Sequence, residues 1–404
     1  MSAPRLPVSA VSAAAVGVVV GFGGTVALVV QAGHTLGASP VQIVSMVTAL
    51  CLGIAVPGML LSWRLRVPVI LAWSTPGAAL LAASTLGLGW PTAVGAFVIA
   101  GALMVVTGLV PALGRLAARI PGGVASAMLA GVLLPFCVRL FLVFPTDLAL
   151  AAGLFAVFLV MRRLAPTWAL PTVLVGAFLV LALRGQVTTP PGTGLFGELS
   201  PTVPAFDLQA AISLALPLFL VTLVSQNLPG LVVLKAAGYE PPPRPLLVST
   251  GLATVALAPF GAYGINMAAI VAAICTGPEA HPDPARRWIV GVVYGGLYLV
   301  TALFAAPLVG LFIAMPPAAL AILTGLALIG PLTGAVAGAM AEPDHREAAI
   351  IAFAVTASGL VLFGIGSAFW GLALGVAALL VQTLVGRLRR PAHAPVSEGE
   401  HKTD

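Results

Sequence analysis

The chain has 404 residues, of which 60% are apolar and 7% charged, and its mean hydropathy is +1.12. Soluble chains carry roughly a quarter charged residues, so this composition excludes a soluble domain and predicts an all-α polytopic membrane protein, with about 20 residues needed per span. The net charge of +6 comes from basic residues dispersed among loops without interleaved aromatics, which excludes nucleic acid as a partner.

Apolar runs bounded by Pro, Gly or charge predict fourteen spans. Those of the first half are 8–32, 40–62, 67–84, 91–114, 121–140, 146–161 and 168–184. The first is too long for a signal-peptide core and reads as a retained span. Gly21-Phe22-Gly23-Gly24-Thr25 interrupts it. Small residues there, Gly23 among them, let a ligand approach the backbone, and Phe22 offers a face for a ring. Helix packing around a core aromatic explains the same residues equally well. Gln31 and His34 lie near the outer end, where a solvated histidine is expected, although an imidazole there titrates near neutral pH.

The third span is broken by Ser74-Thr75-Pro76-Gly77 ahead of a predicted half-helix over 78–84. Ser or Thr followed by Pro is an ordinary helix start. The functional reading adds that the Gly77 and Ala78 amides, with the Ser74 or Thr75 hydroxyl, face a substrate oxygen.

A Pro-rich external linker, 185–207, divides the halves. Its Gly192-Thr193-Gly194-Leu195-Phe196-Gly197 matches GxGxxG but has no βαβ context and is read as chance.

The second-half spans are 208–234, 245–258, 259–277, 287–312, 317–340, 347–364 and 367–386. The polar cluster Ser225-Gln226-Asn227 before Leu228-Pro229-Gly230 is costly in hydrocarbon without partners. Interhelical hydrogen bonding competes with ligand contact as its explanation. The tenth span is broken by Gly261-Ala262-Tyr263-Gly264-Ile265-Asn266. Asn266 is expected to cap a half-helix over 267–275, and Tyr263 to contact substrate or anchor the turn. Paired breaks in two related halves are the best sequence pointer to a transporter's binding site.

Placing the N-terminus in the cytoplasm puts all basic residues inside except Arg139 and Arg184, that is 16 of the 18 Lys and Arg. The positive-inside rule therefore supports fourteen spans with both termini cytoplasmic. Segments 95–134 and 291–330 match in their Gly-rich spans and in the paired prolines Pro111/Pro121 and Pro307/Pro316. Segments 28–40 and 231–243 match more weakly, in the same order. Seven spans is an odd number, so the second copy enters the membrane upside down. The domains are then 1–184, the first inverted repeat; 185–207, the linker; 208–388, the second repeat; and 389–404, a cytoplasmic tail.

All twelve acidic residues fall in predicted loops, in tails or, for Asp147 and Glu347, at the very start of a span. Intramembrane carboxylates are the usual cation ligands and proton relays, so a site without them suits an anion held by backbone N–H groups at half-helix N-termini. Cys51, Cys137 and Cys275 lie in apolar context and read as small buried hydrophobes. His281 and His345 lack metal-ligand spacing. No metal and no cofactor are expected, and HExxH, GxSxG and Walker A patterns are missing, so an enzyme is not.

At Ser225–Gly230, in Ala262-Tyr263-Gly264-Ile265-Asn266-Met267-Ala268-Ala269 and in Ile274-Cys275-Thr276-Gly277-Pro278-Glu279-Ala280-His281, the chain resembles benzoate:proton symporters of the BenE type, and does so over nearly its whole length. The resemblance implies a fold shared with uracil and xanthine permeases. That fold has a 7+7 inverted repeat, two broken spans each made of a short strand plus a half-helix, a core domain (spans 1–4 and 8–11), a gate domain (spans 5–7 and 12–14) and an elevator motion, often in a homodimer. Nucleobase permeases often read Tyr-Gly-Glu-Asn where this chain reads Tyr263-Gly264-Ile265-Asn266. The missing carboxylate argues against nucleobases and fits a carboxylate ligand.

The sequence thus leads to a bacterial-type inner-membrane transporter of an aromatic carboxylate, most simply benzoate, coupled to protons and surrounded by lipid. Its expected substrate-binding residues are Phe22, Gly23, Ser74, Thr75, Gly77, Gln226, Asn227, Tyr263, Gly264, Ile265 and Asn266. An uncoupled anion channel or uniporter on the same scaffold is the first alternative, and a membrane-embedded enzyme the second.

Overall fold

The computed structural model describes residues 7–84, 86–110, 112, 122–186 and 194–389. Arg5, Arg115, Arg119, the start of the GxGxxG stretch and the tail beyond 389 lie outside the described residues. Helices α1 (Val8–Gly23) and α2 (Val26–Thr35) form the first apolar run and meet at Gly24-Thr25. There the Thr25 hydroxyl bonds back to the Gly21 carbonyl at 2.7 Å. Helix α3 (Pro40–Leu65) starts at a full capping box between Ser39 and Gln42. After a turn at Arg66, strand β1 (Leu71–Trp73) leads into α4 (Thr75–Ala82). Helices α5 (Trp90–Leu109), α6 (Gly122–Leu142), α7 (Leu148–Leu164) and α8 (Ala169–Leu183) complete the first half.

The second half opens with α9, a run over Leu208–Ala236 containing π turns at Ala211–Ala215 and Leu223–Asn227. Helix α10 (Pro243–Leu257), strand β2 (Ile265–Met267) and α11 (Ile270–Thr276) follow. Then come α12 (Trp288–Leu303), α13 (Ala305–Ile313), α14 (Pro317–Ala339), α15 (Arg346–Ala357) and α16 (Ser367–Arg389). Among the described residues, eight runs are long and apolar enough to cross a membrane. The run containing α12 and α13, bent by 64°, makes a ninth if counted as one.

Three helix pairs make the most extensive contacts: α6 with α14, α3 with α12, and α5 with α10. Glycine lets two of these pairs approach backbone to backbone. A Cβ on Gly251 of α10 would lie 2.7 Å from the Val105 nitrogen and 2.9 Å from the Gly101 carbonyl of α5. On α12, a Cβ at Gly295 would lie 2.8 Å from the Ala55 carbonyl of α3. Close small-residue contacts are the normal means of helix association where lipid removes the hydrophobic driving force.

The later part of the linker is strapped across one face of the molecule. Ser200 N–H donates to the Ser45 hydroxyl at 2.9 Å. Thr202 N–H donates to Pro259 O at 2.8 Å, and Ala205 N–H to Pro91 O at 2.9 Å. The Trp90 indole N–H reaches the Thr202 hydroxyl at 2.9 Å. These bonds satisfy an extended backbone that has no sheet to join. At the turn before α7, Asp147 caps that helix and pairs with Arg184. The guanidinium hydrogen bond, followed by the Leu150 amide, holds the Asp147 carboxyl below the usual carboxylate range.

Candidate functional site

The two interrupted segments meet. β1 and β2 pair antiparallel, with Leu71 opposite Met267, Ala72 opposite Asn266 and Trp73 opposite Ile265. The ladder extends one bond at each end: Ser74 N–H donates to Gly264 O at 3.0 Å, and Ala268 N–H to Ile70 O at 2.9 Å. Each break satisfies its backbone on the other, which is what allows extended chain inside an apolar interior.

A half-helix follows each strand, so α4 and α11 start at opposite ends of the ladder. The Ser74 hydroxyl caps α4 by accepting from Gly77 N–H at 3.0 Å, and it also accepts from the Thr222 hydroxyl at 2.9 Å. A Cβ at Gly77 would sit 2.7 Å from Leu218 Cδ1 and 2.8 Å from Ser74 Oγ, so a larger residue would displace the cap. Thr75, the first residue of α4, is half-buried. At the far end the Thr35 hydroxyl donates to Ala82 O at 3.3 Å. Helix α11 has no side-chain cap at its start, where Ile270 is 71% exposed. Its end is held by the buried Arg287, which donates to Thr276 O at 2.9 Å and His281 O at 2.8 Å. A cation at the C-terminal end complements the helix dipole and leaves its amide end unopposed.

Two expectations about these starts are corrected. Helix α4 begins at Thr75, not Ala78, because Pro76 is tolerated in the first turn. Helix α11 begins at Ile270, because pairing with Leu71 carries Met267 into β2. Asn266 is therefore not the cap of α11. Fully buried, it accepts from Ser74 N–H at 2.8 Å and donates to Met267 O at 2.9 Å in the amide orientation that satisfies both groups. It thus ties the second break to the start of the first half-helix.

The polar cluster of α9 also turns toward the ladder. Within its π turn the buried Asn227 accepts from Met267 N–H at 3.0 Å and donates weakly to Met104 Sδ and Thr222 O, both at 3.5 Å. The wider π turn re-aims a side chain that a regular helix would present elsewhere. Gln226, on the same turn, is half-buried. From α10, Thr254 accepts from Ile265 N–H at 2.9 Å.

Phe22 is 8% exposed and packs edge-on to Trp73, with ring centroids 5.6 Å apart. Trp73 bonds Thr25 at 2.8 Å and meets Tyr298 edge-on, and the Tyr294 hydroxyl donates to Leu71 O at 3.2 Å. Gly23 faces Leu174 of α8. Tyr263 is fully buried against Phe97, and its hydroxyl has no partner. Gly264 lies 3.5 Å, by a built Cβ, from Ser74 Cβ, and Ile265 packs on Gly53. Tyr263, Gly264 and Ile265 line, with Thr222, Thr254 and Met104, a cavity of about 10 Å³, room for about one water. A ring-bearing ligand therefore requires the surrounding elements to part.

The structure gathers Ser74, Gly77, Asn227, Gly264, Ile265 and Asn266 at one ladder, and Phe22 at its edge. Sequence reasoning missed Thr222, Thr254, Trp73, Tyr294 and Arg287. The only signal for the threonines was the one-turn spacing of Thr250 and Thr254, since threonine in an apolar run ordinarily bonds its own helix.

Comparison with known proteins agrees with this architecture. The family model described as BenE, benzoate membrane transport protein, matches residues 5–381. The chain is 41% identical over 376 residues to the inner membrane protein YdcO of Escherichia coli, covering 92% of this chain and 95% of that protein. It is 32% identical over 373 residues to the benzoate membrane transport protein of Acinetobacter baylyi, with the same coverage, 92% and 95%. Among solved structures, the transmembrane domain of a cyanobacterium bicarbonate transporter, BicA, superposes with a TM-score of 0.59 at 16% identity, covering 94% of this chain and 98% of that one. SLC26A9 superposes with a TM-score of 0.61 at 14% identity, covering 94% and 66%. Likeness at that identity shows a shared fold.

Proposed function

The chain belongs to the BenE family of benzoate membrane transport proteins, and from that premise we propose that it is a proton-coupled importer of an aromatic carboxylate, benzoate being the expected substrate. The observation that carries this reading is the β1–β2 ladder, whose side-chain partners are Ser, Thr, Asn and Tyr and include no acid. An anion meets no buried negative charge there, and α4 presents its amide end to the same place.

The helix contacts support fourteen crossings in a 7+7 inverted repeat. A shift of seven spans exchanges the α3–α12 pair with the α5–α10 pair and returns the α6–α14 pair to itself. In this scheme spans 1–4 and 8–11 form a core and spans 5–7 and 12–14 a gate. Displacement of core against gate exposes the site alternately to each side. The carboxylate binds at the amide end of α4, near Thr75, Gly77 and Asn266, and the ring lies beside Phe22, Gly23 and the Tyr263–Ile265 turn. Gln226 and Asn227 orient it. Both termini are cytoplasmic, and the unit assembles as a homodimer.

The test is uptake of radiolabelled benzoate into proteoliposomes under an inward proton gradient. Accumulation abolished by an uncoupler is expected; uptake that only equilibrates would identify the uniporter instead, and no saturable uptake of any aromatic carboxylate would overturn the reading. Asn266→Ala is expected to cut uptake about tenfold at normal membrane levels, since it leaves Ser74 N–H on Gly264 O alone and removes the amide donor to Met267 O, a loss on the order of one neutral hydrogen bond. Unaltered kinetics would remove the residue from the site. His34 is exposed at the end of α2, so His34→Gln is expected to keep uncoupler-sensitive accumulation, the proton travelling with the substrate. Equilibrative uptake in that variant would instead assign the relay to His34.

A further inference from the structure

A second cavity lies away from the ladder, at the C-terminal end of α4. Its volume is about 220 Å³. Leu80 closes it from α4, Ser84 from just past that helix, Phe136 and Arg139 from α6, Leu214 from α9, Thr356 from α15 and Ala368 from α16. It therefore lies between the helices that hold the ladder and the α6–α14–α15 bundle. Helix α4, at about 1.5 Å per residue, separates it from Thr75 by about 12 Å. The same face carries the linker strap: Gln209, just beyond the strap, donates to Gly364 O in the turn between α15 and α16, and Gly366 of that turn lines the cavity.

Its chemistry is specific. Arg139 is exposed and has no acidic partner among the described residues. Its guanidinium lies over the Phe136 ring, 5.7 Å from the centroid. No acidic side chain is on the lining. Thr356 is 4% exposed, and its hydroxyl, enclosed against Gly371 of α16, finds no hydrogen-bond partner although buried hydroxyls almost always do. The remaining wall is largely aliphatic. One cation and one unpaired hydroxyl match a single carboxylate, not a polyanion. Apolar walls with a phenyl ring match a hydrocarbon body, for which chloride or bicarbonate would have no use.

We propose that this cavity is an outer vestibule site that binds a small aromatic monocarboxylate, with Arg139 on the carboxylate, the Thr356 hydroxyl turning from Gly371 to join it and Phe136 against the ring, before the ligand reaches the ladder. The proposal rests on the aromatic-carboxylate reading and on the orientation that puts the linker outside. It gives a role to one of the only two basic residues predicted on that side.

The experiment measures benzoate uptake by reconstituted wild type, Arg139→Gln, Arg139→Lys and Thr356→Val at low and high ionic strength. Arg139→Gln is expected to raise KM about tenfold, with the larger share of the loss in KM and not in Vmax. Arg139→Lys restores most of the affinity, and Thr356→Val raises KM about threefold. Wild-type KM rises with salt, whereas that of Arg139→Gln does not. An unchanged KM in Arg139→Gln, with normal wild-type uptake, overturns the vestibule and leaves the transport reading standing. If Arg139→Gln fails to reach the membrane, an unchanged KM in Thr356→Val overturns it equally. Chloride or bicarbonate competing as well as substituted benzoates reduces the cavity to a general anion funnel and also overturns it. Absence of saturable wild-type uptake removes the transport reading and the vestibule together.

Discussion

Asn227→Leu is expected to abolish benzoate uptake while the protein still inserts. Leucine keeps the volume of the side chain but removes the oxygen that accepts Met267 N–H at 3.0 Å. Both groups are buried, so no water replaces the acceptor. A buried donor left unpaired costs about 1–3 kcal/mol, and every 1.4 kcal/mol is a factor of about ten. The penalty falls on β2 itself, so the geometry of the site suffers before global stability does. The measurement is uptake normalised to membrane level, with Tm from a thermal-shift assay on purified protein. Wild-type uptake in this variant would mean that the ladder does not need its clamp from α9.

Gly251→Val is expected to do comparable damage by a different route. A Cβ at Gly251 meets backbone atoms of α5, the Val105 nitrogen at 2.7 Å and the Gly101 carbonyl at 2.9 Å, and backbone cannot rotate away. Overpacking of this kind costs about 1–3 kcal/mol. Pushing α10 off α5 also withdraws Thr254, one turn further along α10, from its bond to Ile265 N–H. Tm and uptake should therefore fall together, unlike Asn227→Leu, where uptake falls first. Gly296→Ala on α12 is the control: nothing lies within 4 Å of its built Cβ, and alanine in a helix is favoured over glycine by about 0.5–1 kcal/mol. Equal Tm values for Gly251→Val and Gly296→Ala would refute the close-contact argument.

Much of the site was legible because Pro and Gly are conspicuous inside apolar runs. Ser74-Thr75-Pro76-Gly77 and the Gly261–Asn266 turn marked both breaks, and the structure joins them. The helix starts were misplaced because a three-residue strand has no local signature; Met267 is extended only because Leu71 lies opposite it. The same reasoning left Asn227 open between ligand contact and helix–helix bonding, and the observed acceptor is the Met267 amide. Arg139 stood out as a rare basic residue on its side, yet the cavity beside it needs five separate helices to close it.

Composition and hydropathy alone determined that the chain lives in lipid, where its backbone breaks occur and that no carboxylate accompanies them, since each is a property of residues read singly or in short runs. Which break pairs with which, what satisfies each freed amide, and where space remains for a ligand were decided only by the tertiary structure. Those bonds join residues far apart in the chain, and in a dry interior an unpaired amide can be satisfied only by whatever the fold brings against it.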